Sequence, residues 1–121
     1  MEVKRNHMVT YQESSNDVFR ALADPTRRAI LDLLRKGAHP VNDIARAFPV
    51  SRPAVSKHLR QLREADLVIG KKDGRQQVYE LNAAPLSAVD EWLRQYREMW
   101  LGKLTRLKKF AEETEKRKKR K

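Results

Sequence analysis

This chain of 121 residues carries 27 lysines and arginines against 16 acidic residues, for a formal net charge of +11, and it has no cysteine. The length suits a single domain with a modest core, and the basic balance favours a polyanionic partner. The lack of cysteine excludes disulfides, thiol redox chemistry and thiolate metal sites. No apolar run is long enough for a membrane span or a signal peptide, so we expect a cytoplasmic protein that does not associate with membranes.

Composition divides the chain into three parts. Residues 1–13 hold scattered apolar residues that define no element, and we expect a flexible leader there. Residues 14–115 contain the periodic apolar segments and are predicted to form one folded domain. Residues 116–121 are the basic run KRKKRK, which we expect to add non-specific attraction for nucleic acid. The chain remains basic without this tail.

Two short helices are predicted to open the folded domain. Capping residues precede a first helix over about Asp17–Ala23, and Asp24-Pro25 offers an N-cap followed by a proline that suits the first helical position. The second helix is expected to end at Gly37. Its apolar stripe consists of Ala29, Ile30, Leu33 and Leu34. Arg27 and Arg28 are interpreted as solvated charges, with phosphate contact as the alternative. We expect these two helices to be a platform for the elements that follow.

The next segment has the pattern of a helix, a tight turn and a second helix. Residues Val41–Phe48 place four apolar residues at helical spacing, namely Val41, Ile44, Ala45 and Phe48. Pro49-Val50-Ser51 interrupts this pattern before the next apolar stripe begins. The spacing therefore predicts a helix-turn-helix.

The second of these helices, residues 51–65, is interpreted as a DNA-recognition helix. Ser51 is a suitable N-cap for the amide of Ala54, and Val55, Leu59 and Leu62 form a stripe for the core. The opposite face has no acidic residue before Glu64. Small, hydroxyl-bearing and basic groups there suit the major groove. The candidate DNA-binding residues on this helix are Ser51, Arg52, Pro53, Ser56, Lys57, Arg60 and Gln61. The alternative is an ordinary amphipathic surface helix.

A β-hairpin is predicted directly after this helix. Two β-prone runs, Leu67–Lys72 and Gln77–Leu81, flank Asp73-Gly74, a dipeptide typical of hairpin turns. A hairpin with a basic tip that follows a recognition helix is a wing, here over residues 67–82. Its candidate DNA-binding residues are Lys71, Lys72 and Arg75.

A long helix is predicted from about Leu86 to Glu115. Its apolar residues recur in steps of three and four, and one short domain cannot cover so long a stripe. The same helix of a second subunit is the simplest cover, so we expect a homodimer. The candidate interface residues are Leu86, Val89, Leu93, Tyr96, Trp100, Leu104 and Leu107. The alternative use of this surface, compatible with dimerisation, is a small-molecule pocket lined by Trp92, Tyr96 and Trp100.

In order and spacing, the segments FRALADPTRRAILDLLRKG, VNDIARAF, SRPAVSKHLRQLREADLV and GKKDGRQQVYEL closely resemble the ArsR/SmtB-type winged-helix transcriptional repressors. The resemblance covers about residues 16–100. It implies a mainly α-helical fold with a small β-hairpin, namely a winged helix-turn-helix with a long C-terminal dimerisation helix. It also implies a homodimeric repressor that binds a palindromic operator on double-stranded DNA and is released by a signal that the sequence does not identify. Asp66 stands where the family usually has glycine, but aspartate tolerates the left-handed conformation.

Many members of that family sense metals, and the resemblance shows where their ligands would fall. The cysteine-containing site would lie on Val41–Phe48, which has no cysteine, and a second site would use aspartate and histidine on the C-terminal helix. That helix has Asp90 and Glu91 but no histidine. For His58, packing or a phosphate contact is favoured over metal ligation. We therefore expect no metal site and no cofactor.

Two other classes of protein are considered. An enzyme would need a nucleophile with its base, an acid-base pair or a phosphate-binding loop, and the sequence has no such grouping, so we do not expect catalysis. A winged-helix protein that binds DNA or RNA without sequence preference is the stronger alternative, because a basic tail and a wing serve that role too. Recovery of a palindrome from random DNA separates this alternative from a specific regulator.

Overall fold

The structure, a computed structural model, describes residues 15–119. The predicted leader, residues 1–13, lies outside the described residues, as do the last two residues of the predicted tail. Residue contacts divide the chain into two compact units, Met1–Val89 and Asp90–Lys121, whereas the sequence predicts one domain over residues 14–115.

The helices and strands follow the predicted order. Helix α1 covers residues 15–22, and α2 covers Pro25–Arg35. A two-residue strand β1, His39–Pro40, leads into α3, Val41–Ala47, and α4 covers Arg52–Glu64. The remaining elements are the strands β2, Val68–Asp73, and β3, Gln76–Leu81, a 3-10 turn at Ala84–Leu86, and helix α5, Ser87–Lys119. The fold is the predicted winged helix-turn-helix with a long C-terminal helix.

One hydrophobic core holds the first unit together. All four N-terminal helices and the start of β2 contribute to it, and the predicted stripe of α4 is fully confirmed, with Val55, Leu59 and Leu62 at most 1% exposed. In α2, Leu31 is buried where the predicted stripe had Ala29 instead. Within residues 15–119 the buried residues are Val18, Ala21, Ile30, Leu31, Leu34, Ile44, Val55, Leu59, Leu62, Ala65, Leu67 and Val68.

The starts of α2 and α4 are fixed by local hydrogen bonds. A carboxylate oxygen of Asp24 accepts from the backbone N–H of Arg27 at 2.9 Å, and the Ser51 hydroxyl accepts from the backbone N–H of Ala54 at 3.2 Å. Both helices also begin with a proline in the first turn, where a missing N–H costs nothing. These capping predictions are confirmed.

A left-handed residue ends α4. Asp66 has a φ of 59°, and the backbone N–H groups of Asp66 and Leu67 donate to the carbonyls of Arg63 and Leu62 at 3.0 and 2.9 Å. This is the Schellman arrangement, which satisfies helix-end carbonyls, with aspartate where glycine is usual. The chain therefore reverses sharply into β2.

The wing belongs to a three-stranded antiparallel sheet with the order β1-β3-β2. Asp73 pairs with Gln76, so the hairpin loop is Gly74-Arg75, one residue later than the predicted Asp-Gly turn. Gly74 has a φ of +66°, as the first loop residue of a type II′ turn requires. Strand β1, which pairs with β3 at Tyr79 and Val78, was not predicted, because two residues are too short to show an alternating pattern.

Helix α5 begins at Ser87 and runs for 33 residues, four of them past the predicted end at Glu115. At 1.5 Å per residue such a helix is about 50 Å long. Its described residues beyond Val89 are exposed, apart from Gly102, which is partly exposed. No helix within residues 15–119 is both long and apolar enough to cross a membrane.

Candidate nucleic-acid interface

The recognition helix α4 is anchored by its buried stripe and exposes the opposite face. Val55, Leu59 and Leu62 fix its rotation, because all three are fully packed in the core. Six predicted DNA-binding residues of the helix and its N-cap are exposed, namely Ser51, Arg52, Pro53, Ser56, Lys57 and Arg60. They lie along the N-terminal half and middle of the helix.

The electrostatics of this face favour an anion. The first turn of α4 has no acidic residue, and the free backbone N–H groups at a helix N-terminus carry partial positive charge. Lys57 and Arg60 add full positive charges, and arginine can donate two parallel hydrogen bonds to a guanine edge. The face can therefore hold phosphate oxygens at the helix start and donate to base edges further along.

Gln61 was predicted to bind DNA, but the structure gives its side-chain oxygen another partner. That oxygen, Oε1, accepts from Nη1 of Arg27 at 2.6 Å, and the residue is only partly exposed. The side chain thus lies toward α2 rather than with the exposed basic face. The reason is its position one residue before the buried Leu62, on the flank of the packed stripe.

The side chain of Arg27 is a second departure from the prediction, which treated it as a solvated charge. It is partly buried, and three of its nitrogens donate to protein oxygens. Arg28 is exposed, yet its Nη1 donates to the carbonyl of Leu22 at 2.7 Å. Neither guanidinium is simply solvated, because both lie against the carbonyls at the end of α1.

Asp24 and His58 complete the polar contact between α2 and α4. The side chain of His58 is 19% exposed, and its Nδ1 lies 3.8 Å from Oδ2 of Asp24. The backbone N–H of Arg27 donates to Asp24 and holds the pKa of that carboxyl below its ordinary value. The side chains of His58 and Arg27 lower this pKa further, and partial burial opposes them.

The wing carries its basic residues near the tip. Lys71, Lys72 and Arg75 are all exposed. Lys71 already has an acidic partner, because its Nζ lies 3.0 Å from Oε1 of Glu80 on the neighbouring strand. Lys72 and Arg75 are therefore the stronger candidates for contact with phosphate.

The predicted dimer interface falls into two groups of residues. Leu86 and Val89 are partly buried against the core of their own subunit, so they leave less apolar surface for a partner than the residues that follow. Leu93, Tyr96, Trp100, Leu104 and Leu107 are 41–64% exposed on α5. The rings of Trp92 and Tyr96 lie against each other with centroids 5.0 Å apart. The exposed apolar stripe of α5 therefore begins at Trp92.

The residues considered as metal ligands are not clustered in the described part of the chain. Over residues 15–119, no three or more histidine, cysteine, aspartate or glutamate side chains lie close enough together to hold a metal ion. The carboxylate of Asp90 accepts from Arg97 at 2.6 Å, an ion pair between exposed side chains two turns apart on α5.

Comparison with known proteins agrees with this geometry. Residues 22–70 match the family described as a helix-turn-helix domain. The transcriptional repressor SdpR of Bacillus subtilis is 41% identical over 78 residues, which are 64% of this chain and 87% of that protein. The transcriptional regulator Rv2034 of Mycobacterium tuberculosis is 46% identical over 82 residues, 68% of this chain and 76% of that one.

Solved structures show the same likeness. The crystal structure of an ArsR family transcriptional regulator matches with a TM-score of 0.67 and 37% identity, over 74% of this chain and 93% of that one. A homodimeric winged helix-turn-helix DNA-binding domain from Mycobacterium bovis matches with a TM-score of 0.63 and 26% identity, over 78% of this chain and 87% of that one. With fold, segment order and relatives in agreement, this chain belongs to the ArsR family of winged helix-turn-helix transcriptional regulators.

Proposed function

We propose that this regulator is a sequence-specific repressor that binds a palindromic operator as a homodimer. The observation that carries the proposal is the face of α4, where exposed hydroxyl-bearing and basic residues lie opposite three fully buried ones. A helix held this rigidly can present the same side chains to the same base edges in every complex. The named repressors among its relatives support the direction of regulation.

Within this proposal α4 reads the sequence and the wing holds the backbone. Ser56, Lys57 and Arg60 would reach base edges in the major groove, with Ser51, Arg52 and Pro53 near the phosphates at the helix start. Lys72 and Arg75 at the wing tip would contact phosphate or the minor groove, with a smaller contribution from Lys71 because of its pairing with Glu80. Gln61 is left out of this set because it already binds Arg27.

Dimerisation would use the α5 stripe that starts at Trp92. Large exposed apolar side chains recur along this helix for about five turns, far more than an isolated helix in water would keep uncovered. A second copy supplies an identical stripe, and the homodimeric domain from M. bovis supports this arrangement. The interface residues of the proposal are Leu93, Tyr96, Trp100, Leu104 and Leu107, without Leu86 and Val89.

A small-molecule pocket on α5 remains the second use of this surface. Leu93, Tyr96, Arg97 and Trp100 line a shallow, largely apolar cleft of about 320 Å³. Two of these residues, Tyr96 and Trp100, were in the predicted pocket, while Trp92 does not line the cleft. A ligand there would compete with the partner helix and so could release the operator.

The remaining parts of the proposal follow from the role of a regulator. It would act in the cytoplasm, where the chromosome lies, without catalysis and without a metal or cofactor. The folded part would be the described winged domain and α5, which includes the first four residues of the basic tail, 116–119.

The test is selection of bound duplexes from random DNA at about 0.15 M salt, where weak non-specific contacts are screened. We expect recovery of a partly palindromic sequence that binds at least about 10³-fold more tightly than a scrambled duplex of the same composition. RNA of the same sequence serves as the control for the alternative class. Equal affinity for selected DNA, scrambled DNA and RNA would overturn the proposal.

A further inference from the structure

Arg27 joins three elements of the first unit through one guanidinium group. Its Nε donates to the carbonyl of Ala21 at 2.8 Å and its Nη2 to the carbonyl of Arg20 at 2.9 Å. Its Nη1 donates to Oε1 of Gln61 at 2.6 Å and lies 3.5 Å from Nδ1 of His58. One side chain from the first turn of α2 thus contacts the end of α1 and the middle of α4.

The carbonyls at the end of α1 are suitable acceptors. The last turn of a helix leaves carbonyl groups without intrahelical donors, and they carry partial negative charge. The Arg27 guanidinium donates to the carbonyl of Ala21 and to that of Arg20, which also accepts from the backbone N–H of Ala23 at 3.2 Å, and it keeps a further nitrogen, Nη1, for α4. Arginine is the residue for this task, because its donors are fixed in one plane at set angles.

On α4, the two residues that the Arg27 guanidinium contacts, His58 and Gln61, each follow directly after a residue proposed to bind DNA. His58 follows Lys57, and Gln61 follows Arg60, so each contacted side chain is the direct neighbour of an exposed basic one. His58 is also 3.8 Å from Asp24, the N-cap of α2. The flank of α4 is therefore fixed by polar contacts at the same level as its exposed basic face.

We propose that Arg27 is a positioning residue for the recognition helix, and that it sets sequence discrimination without contacting DNA. This inference rests on the proposed function of α4. Hydrogen bonds to base edges require close placement of the helix, whereas contacts of long basic side chains with phosphates tolerate small shifts. Removal of the Arg27 guanidinium should therefore weaken operator binding and leave non-specific binding almost unchanged.

A matched control lies next in the chain. Arg28 has the same charge and also donates to a carbonyl at the end of α1, that of Leu22, but within the described residues no hydrogen bond or ion pair joins its side chain to α4. Arg28→Met removes the same charge as Arg27→Met. Arg27→Lys keeps the charge, yet a single ammonium group cannot reach the three acceptors in the same geometry. Far-ultraviolet circular dichroism shows whether each variant is folded before its affinity is measured.

The experiment measures affinity for the selected operator and for scrambled DNA at several salt concentrations. For Arg27→Met and Arg27→Lys we expect about tenfold weaker operator binding than for Arg28→Met, with the same affinity for scrambled DNA. Gln61→Met should have a similar but smaller effect. In the Gln61→Met background, Arg27→Met should cost less than it does alone, because the hydrogen bond between the two side chains is already absent.

Several results would overturn the inference. An equal loss for operator and scrambled DNA, with the salt slope lowered by about one, would make Arg27 a phosphate contact instead. Full activity of Arg27→Lys would mean that only the charge matters. A wild-type protein without sequence preference would overturn the proposed function, and this inference with it. A wild-type preference that both Arg27 variants retain would overturn this inference alone.

Discussion

The side-chain Nδ2 of Asn82 donates to the backbone carbonyl of Asp66 at 2.8 Å and so joins the end of β3 to the turn that follows α4. The backbone N–H of Asn82 donates to the carbonyl of Leu67 at the same distance. The wing is therefore tied to the recognition helix at its base as well as through the strand that leaves α4. If α4 and the wing bind one DNA duplex together, this link fixes the distance between their binding surfaces.

We expect Asn82→Ala to lower the free energy of unfolding by about 1 kcal/mol, because it removes the hydrogen bond to Asp66 and a longer one, of 3.4 Å, that Oδ1 of Asn82 accepts from the backbone N–H of Ala84. Operator affinity should fall as well, because the wing would be held less firmly. Urea unfolding followed by circular dichroism measures the first effect. Asn42→Ala on α3 is the control, since the described part of the chain shows no hydrogen bond from that side chain. Equal stability of wild type and Asn82→Ala would contradict the link.

The N-cap of α2 predicts a pH dependence of stability at acid pH. Because the pKa of Asp24 is lowered in the folded state, its ionised form stabilises the fold above the ordinary value of 3.8, and this contribution is lost as the pH falls below that value toward the folded pKa. Asp24→Asn keeps a capping side chain but has no charge to lose. Its urea midpoint should therefore fall less steeply than that of wild type below about pH 4. Parallel curves for the two proteins would contradict this.

The exposed stripe of α5 predicts that the dimer dissociates when acidic residues are placed within it. Leu93→Asp combined with Trp100→Asp should give a monomer at micromolar concentration in sedimentation velocity, because each buried anchor of an interface contributes about 2 kcal/mol or more. Gln95→Asp combined with Thr105→Asp is the control, since it adds the same charge outside the stripe. A stable wild-type monomer would contradict the proposed interface.

Metal ions are expected to leave DNA binding unchanged. The chain has no cysteine, and its two described histidines, His39 and His58, lie on different elements. Titration with zinc, nickel or cadmium, and then with a chelator, should change operator affinity by far less than the roughly 5- to 150-fold typical of an allosteric effector. A large decrease in affinity at one equivalent of metal would reveal a metal site and contradict this expectation.

Local patterns predicted the parts of this fold that depend on neighbours in sequence. The start of α4 follows from Ser51 and Pro53, and its buried face from the spacing of Val55, Leu59 and Leu62. The contact between Arg27 and Gln61 could not be predicted in this way, because it joins residues on different helices and neither periodicity nor capping reports such contacts. A polar residue beside a buried stripe was the only local signal at Gln61.

The dimer stripe shows a second limit of periodicity. Leu86, Val89 and Leu93 follow one another at helical spacing, yet the first two pack on their own core and the third is exposed. The spacing of apolar residues identifies the face of a helix that is buried, but it does not show whether the same subunit or a partner subunit buries it. Leu86 and Val89 differ from Leu93 only in packing on the core of their own subunit, and the sequence pattern does not show this.

The most direct test compares the reading helix with the wing, through affinities for the operator, for its single-base variants and for scrambled DNA at several salt concentrations. Lys57→Ala or Arg60→Ala should cost about 1–3 kcal/mol on the operator and relax the preference at particular base positions. Lys72→Ala or Arg75→Ala should weaken binding to all sequences alike and lower the salt slope by about one for each phosphate that the protein no longer neutralises. The proposed roles of α4 and the wing are contradicted if the wing variants change base preference while the α4 variants bind every sequence with uniformly lower affinity.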